Sequence, residues 1–319
     1  LRSPIIAGSC GLTSDVEKMV EMEKAGVGAV VLKSIFEEQI NEETSGVFKA
    51  GYGMGDAYPE AEDYIKAYIR SNTIQKYVEL VRNAKSRLTI PVIASVNCFS
   101  GGEWVSFARQ LEEAGADALE LNVFILPVNE FKESAEVENV YFEIVKSIKS
   151  QIKIPVSVKI SHYFTNLSAF VDKIKAYGAN ATTLFNRFYE PDININTLEM
   201  GAASVFSTAA ELRTTLRWTG ILAGKDKKLE ISASTGVHGG EAAVKLLLAG
   251  ATTVQVCSVL YEKGIHVIED INNFIGKWMD SKAFKTIGDY RGMLSYSSIE
   301  NPDLYERAQF MKYFSNKQY

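Results

Sequence analysis

AGATTVQV, residues 249–256, closes one element and opens another. A helical pattern runs into Ala249, Gly250 stops it, and the run after Ala251 has the make-up of a buried strand. Glycine ends helices readily because it enters the left-handed region without a Cβ penalty. The same form stands upstream as AGVGAVVL (25–32), AGADALEL (114–121) and YGANATTL (177–184). A second form, IPVIASV (90–96) and IPVSVKI (154–160), sets a proline just ahead of a strand. Proline there ends the preceding helix and removes no ladder hydrogen bond.

Working outward from these repeats, strands fall near Ile5–Gly8, Ala29–Leu32, Val92–Val96, Ala118–Leu121, Val156–Ile160, Thr182–Phe185, Glu230–Ala233 and Thr253–Val256. Apolar-periodic helical segments separate them. Strands alternating with helices imply parallel pairing, and eight such units imply an α/β fold of the (β/α)8 TIM-barrel type. An open doubly wound sheet is the runner-up, but it calls for an early glycine fingerprint that is absent. The expected organisation is a single domain over 1–319, with a helical cap at about 280–319. Two long βα loops are expected, Ser34–Asn72 after strand 2 and Asn186–Ala209 after strand 6. Long loops on a barrel tend to cover the active site.

The net charge of −5 argues against nucleic acid as a partner. No apolar run reaches the ~18 residues of a membrane span. Cys10, Cys98 and Cys257 are far apart and lack metal-ligand spacing, so no metal is expected. The opening LRSPIIAG shows no leader pattern. These features suit a reducing cytoplasm.

Beside the opening stretch lies Ser234-Thr235-Gly236-Val237-His238-Gly239-Gly240, between the strand LEISAS (229–234) and a helix starting at Gly240. A helix N-terminus offers unpaired N–H donors and partial positive charge, the setting for a phosphate. In barrels, strands 7 and 8 commonly supply that grip. The alternative is that these glycines only shape a turn.

Barrel chemistry sits at the C-terminal ends of strands. Those positions hold Gly8-Ser9-Cys10, Lys33-Ser34, Ser95, Asn97-Cys98, Asn122, Lys159 with His162, Asn186-Arg187, Ser234-Thr235-Gly236 and Cys257-Ser258. The set is rich in amides, hydroxyls and lysines. It has no paired carboxylates, metal cluster or Ser-His-Asp arrangement, and it suits a planar, hydrogen-bonding, phosphorylated ligand. Lys159 is the sharpest residue: beside a flavin it would offset charge on the reduced ring. Its other readings are a salt-bridged lysine or the Schiff-base lysine of a sugar-phosphate aldolase. Lys33 reads the same way. Asn97 and Asn122 either fix a heterocycle edge or cap a loop.

PIIAGSCGLT, VVLKS, ALELN, IPVSVKIS, LFNRFYEPDI, STGVHGGEAAVKLLLAGATTVQVCSVL and TIGDYRGML together resemble the dihydroorotate dehydrogenase family, in order and over nearly the whole chain. The resemblance implies FMN at the strand ends of a barrel. It implies flavin contacts from Ala7, Gly8, Ser9, Lys33, Ser34, Asn97, Asn122 and Lys159. It places the phosphate at Gly236, Val237, Cys257 and Ser258, next to Thr235, and Asn186 near substrate and flavin. The implied reaction is hydride transfer from a CH–CH bond of dihydroorotate or a related dihydropyrimidine, in pyrimidine biosynthesis. The implied assembly is a homodimer.

Two segments depart from the family pattern. After strand 4 the family reads Asn-x-Ser-Cys-Pro-Asn, or has Ser for Cys, and that Cys or Ser is the base. This chain reads Asn122-Val-Phe-Ile-Leu-Pro127. The family's Asn-Ser-Met-Gly-Leu-Pro-Asn loop is replaced by Met54-Gly-Asp-Ala-Tyr-Pro59-Glu60. The flavin half is kept and the orotate half is altered. Cys98, Cys10 and His162 are the nearest titratable candidates for a base, and a non-catalytic flavin-binding barrel is the alternative from a different class.

Overall fold

The computed structural model describes residues 1–36, 59–97, 104–187 and 190–306. The chain forms two compact units, Leu1–Ala181 and Thr182–Tyr319.

In the first unit the strands are β1 (Ile5–Ala7), β2 (Ala29–Val31), β3 (Ile35–Phe36), β4 (Val92–Asn97), β5 (Ala118–Asn122) and β6 (Val156–Ile160). β1, β2, β4, β5 and β6 lie side by side in that order, all parallel. Helices Val16–Lys24, Pro59–Arg87, Trp104–Glu113, Ser134–Lys149 and Leu167–Ala176 alternate with them. Asp15 caps the first helix by accepting from the N–H groups of Glu17 and Lys18, and Asn166 caps the last through the N–H of Ala169. Gly26, Gly115 and Gly178 follow three of these helices at φ of +93°, +98° and +110°. The repeat read from the sequence is thus a repeat of left-handed helix ends.

Both ends of the connection after β2 carry regular structure rather than loop. Ile35 and Phe36 pair with Val96 and Asn97 of β4. The next helix begins at Pro59, well ahead of Thr73. Proline suits a first helical position. Residues 37–58, which include Met54–Tyr58 of the altered loop, lie outside the described residues.

Register divides this sheet into two faces. Val30, Val92, Ala94, Leu119, Leu121, Val156 and Val158 alternate on one face and are fully buried or nearly so. The other face starts apolar, with Ile6, Ala29, Val31 and Ile93 packed together. Toward the C-terminal strand ends it turns polar in two rows. Ser95, Glu120 and Ser157 are opposite one another, and two residues further on so are Asn97, Asn122 and Lys159.

In the second unit β10 (Glu230–Ala233) lies between β7 (Ala181–Leu184) and β11 (Thr253–Val256). β10 and β11 are parallel, Ser232 opposite Thr253. Helices Leu212–Lys225, Gly240–Ala249, Ser258–Lys263 and Val267–Ser281 complete the unit. Gly250 ends the helix Gly240–Ala249 at φ +119°. The expected loop after β7 carries an exposed antiparallel hairpin, β8 (Pro191–Asn194) with β9 (Glu199–Ala202). Beyond Ser281 the described helical segments are short, a 3-10 turn at Ile287–Asp289 and one turn at Asp303–Glu306. Tyr290 is fully buried there against Trp278 and Phe284, with ring centroids 4.9 and 5.4 Å away. The five strand–helix repeats of the first unit and the three of the second make eight.

Among the described residues no helix is long and apolar enough to cross a membrane, and no group of three or more His, Cys, Asp or Glu side chains could hold a metal ion.

Candidate functional site

In the first unit, the polar rows gather most of the residues singled out from the sequence. Asn97, Asn122 and Lys159 stand next to one another at the ends of β4, β5 and β6, at 5%, 6% and 8% exposure. The amide oxygens Oδ1 of Asn97 and Asn122 are buried, and neither has a hydrogen-bond partner among the described residues. A buried acceptor without a donor costs about 1–3 kcal/mol. Two of them side by side therefore mark a surface shaped for a ligand that brings N–H or O–H donors.

Lys159 Nζ lies 3.7 Å from Glu120 Oε1 in an ion pair whose side chains are 10% and 1% exposed. Glu120 belongs to the row beneath, between Ser95 and Ser157. Three serines run from the strand ends down to that row. Ser34 donates its N–H to Ser9 Oγ at 2.8 Å, their hydroxyls are 3.0 Å apart, and Ser34 Oγ lies 2.7 Å from Ser95 Oγ. Tyr77, from the helix Pro59–Arg87, donates its hydroxyl to the Ser95 carbonyl and accepts from the Ser95 N–H, both at 2.9 Å. Burial pushes the Tyr77 hydroxyl well above the usual tyrosine range, and the negative charge of Glu120 adds to the effect.

Ala7 and Gly8 are buried at the end of β1. Lys33 is exposed, and its backbone N–H donates to the Thr13 carbonyl at 3.3 Å. Among the described residues no contact ties its side chain to the rows. Cys10 is half-buried and caps the short turn Gly11–Ser14, exchanging bonds with Thr13. His162 is exposed with its ring against Tyr163, centroids 4.3 Å apart. Cys98 lies outside the described residues. Val123 is buried, and Leu126 after it is exposed.

In the second unit, the turn after β10 is strained. Thr235 and Gly236 are both left-handed, at φ +82° and +78°. For a β-branched residue this is rare and costs about 1–3 kcal/mol. Thr235 is held by its hydroxyl, which donates to the Phe185 carbonyl at 3.1 Å. At Gly236 a Cβ would meet the Leu212 nitrogen at 2.2 Å, so glycine is required by space as well as by φ. Val237 is buried. Ser258 Oγ accepts from Ser207 N–H at 2.9 Å and from the Ser207 hydroxyl at 3.2 Å. His238 bridges this pair to a carboxylate, with Nε2 3.3 Å from Ser207 Oγ and Nδ1 3.0 Å from Glu262 Oε2. Asn186 and Cys257 are half-buried. Arg187 beside Asn186 donates Nε–H to Glu211 at 3.0 Å and Nη1–H to the Ser204 and Val205 carbonyls.

Glu120, Tyr77, Ser207 and His238 were not selected from the sequence. Alternation with Asn122 along β5 is the signal that reveals Glu120. Ser207 has no local signal at all.

Parallel strands alternating with helices, five such repeats in one unit and three in the other, define an α/β protein. The dihydroorotate dehydrogenase family profile matches residues 1–279. The chain belongs to the dihydroorotate dehydrogenase family, and with it to the eight-stranded parallel barrel fold. It is 29% identical over 299 residues to the catalytic subunit of dihydroorotate dehydrogenase B (NAD(+)) of Thermoplasma acidophilum, covering 92% of this chain and 95% of that protein. It is 27% identical over 291 residues to the putative dihydroorotate dehydrogenase A (fumarate) of Aeropyrum pernix, covering 85% and 87%. It is 26% identical over 310 residues to the Pyrococcus furiosus B-type catalytic subunit, covering 91% and 94%.

Proposed function

We propose that the protein is an FMN-dependent oxidoreductase acting on a CH–CH bond of a small cyclic amide, dihydroorotate or a related dihydropyrimidine. The observation that carries this is the row Asn97, Asn122 and Lys159, with two buried amide oxygens lacking donors beside a buried cation. FMN fits that set of two acceptors and a cation: its ring system carries N–H donors at its polar edges and gains negative charge on reduction. When bound, it supplies the hydride acceptor.

The chain's own residues bind and orient. Asn97 and Asn122 would accept from ring or substrate donors. Lys159 would place positive charge where negative charge develops. Ala7, Gly8, Ser9, Lys33 and Ser34 would line the ring, with Lys33 contributing through its backbone. Thr235, Gly236, Val237, Cys257 and Ser258 would hold the phosphate, and Asn186 would meet the substrate. Homodimer formation, a cytoplasmic location and a place in pyrimidine synthesis belong to the same reading.

A second reading, flavin binding without dihydroorotate turnover, is favoured by one feature. Val123, Phe124, Ile125 and Leu126 occupy the place of the family's base, and none accepts a proton. The test is absorbance of the purified protein, then bleaching of the yellow band under anaerobic conditions by a panel of dihydropyrimidines. A colourless protein that takes up no added FMN rejects both readings. A yellow protein bleached by none of the panel retains only the second.

A further inference from the structure

A carboxylate at 1% exposure in the middle of a sheet is costly unless opposite charge meets it. Glu120 is such a group. Its cation, Lys159, belongs by register to the row nearer the strand ends, opposite Asn122, whereas Glu120 lies opposite Ser157. The lysine therefore reaches back across one layer to come within 3.7 Å of Glu120 Oε1. That distance is an ion pair without a tight hydrogen bond, so the ammonium keeps donors for a ligand at the strand ends. The pair fixes where the ammonium stands, and among the described residues its two charges offset one another.

We propose that Glu120 is a positioning residue of the flavin site: it holds the Lys159 ammonium in place and, by offsetting its charge, sets how far that ammonium favours the reduced ring. This rests on the flavin reading above. A ring that turns negative on reduction is stabilised by the net field at its edge, which is the sum of Lys159 and Glu120. Removing the carboxylate charge leaves the cation uncompensated and tips the equilibrium toward reduced flavin.

The experiment is the two-electron midpoint potential of bound FMN at mildly alkaline pH, where the reduced ring carries its negative charge, measured against reference dyes, in wild type, Glu120→Gln and Lys159→Met. Glu120→Gln keeps the side-chain length and removes the charge. It is expected to raise the reduced-to-oxidised ratio at fixed potential about tenfold, a shift of about 30 mV. Lys159→Met is expected to move it the other way. Should Glu120→Gln fail to fold, Glu120→Asp, which draws the carboxylate back by one methylene, is expected to shift the ratio upward by a smaller factor. A yellow protein with one FMN per chain whose potential is unmoved by the folded Glu120 variant overturns the positioning role and leaves the flavin reading standing. A wild-type protein that takes up no FMN overturns both.

Discussion

Tyr77 Oη lies 2.9 Å from the amide nitrogen and 2.9 Å from the carbonyl oxygen of Ser95. β2 pairs with β4 at Val92 and Ile93, and β3 pairs with it at Val96 and Asn97. Ser95 falls in the gap between them, and a side chain from a helix closes the ladder where no strand does.

Tyr77→Phe should accordingly orphan two buried backbone groups, at a cost of about 1–3 kcal/mol each. Thermal or urea unfolding checks it. The same phenol makes a pH prediction. Its ordinary value is 10.0 and the fold raises it, so the neutral form is the native one. Its stabilisation is complete below pH 10 and is lost as pH rises above that value. Tyr141, pushed up to about 12 by burial, adds to the same alkaline loss. Tyr77→Phe should flatten the decline, and an unchanged alkaline profile would count against the assignment.

Asn97→Ala and Asn122→Ala test the row. Each removes an acceptor that the apo fold leaves unused, so apo stability should not fall by the cost of a hydrogen bond broken at that oxygen. FMN affinity should fall by about tenfold or more, the worth of a buried hydrogen bond of ~1–3 kcal/mol. Flavin fluorescence titration separates the two effects. Loss of apo stability with unchanged affinity would mean that the amides serve the fold alone.

Gly236→Ala tests the second unit. The substitution meets the Leu212 backbone and demands φ +78° of a residue with a Cβ. Purified protein should be less stable and retain less flavin. Gly236→Asp should strip flavin further, because a carboxylate would face the phosphate. Gly239, where a Cβ would meet nothing within 4 Å, provides the control: Gly239→Ala should bind FMN as wild type does.

Dihydroorotate should reduce the bound flavin slowly, about 10²–10⁴-fold below an enzyme with a positioned base. His162→Ala should leave that rate unchanged, since the ring is exposed and set against Tyr163. Stopped-flow bleaching at ordinary enzymatic rates would show that a base enters from elsewhere in the chain.

What was legible in the sequence was what local chemistry dictates. Gly26, Gly115, Gly178 and Gly250 each answer a local demand for left-handed backbone, so the strand–helix repeat could be read without any tertiary contact. Asn97, Asn122 and Lys159 followed from strand ends alone. β3 was not legible, because two residues carry no period. The contact between Ser207 and His238 spans 31 residues and depends on how a loop returns. Glu120 shares the parity of Asn122 along β5, but the strand's apolar content masks the one charged residue in it.

A sheet face that turns from Ile6, Val31 and Ile93 to Glu120, Asn97 and Asn122 gives up part of the burial that would otherwise hold the first unit together. Occupancy then acts as a missing piece of core. A ligand present at about a hundred times its dissociation constant adds about 2.7 kcal/mol to the folded state. With FMN as the proposed ligand, the amount of this protein that a cell accumulates should follow its riboflavin supply, and starved cells should lose the polypeptide to proteolysis before they lose its message.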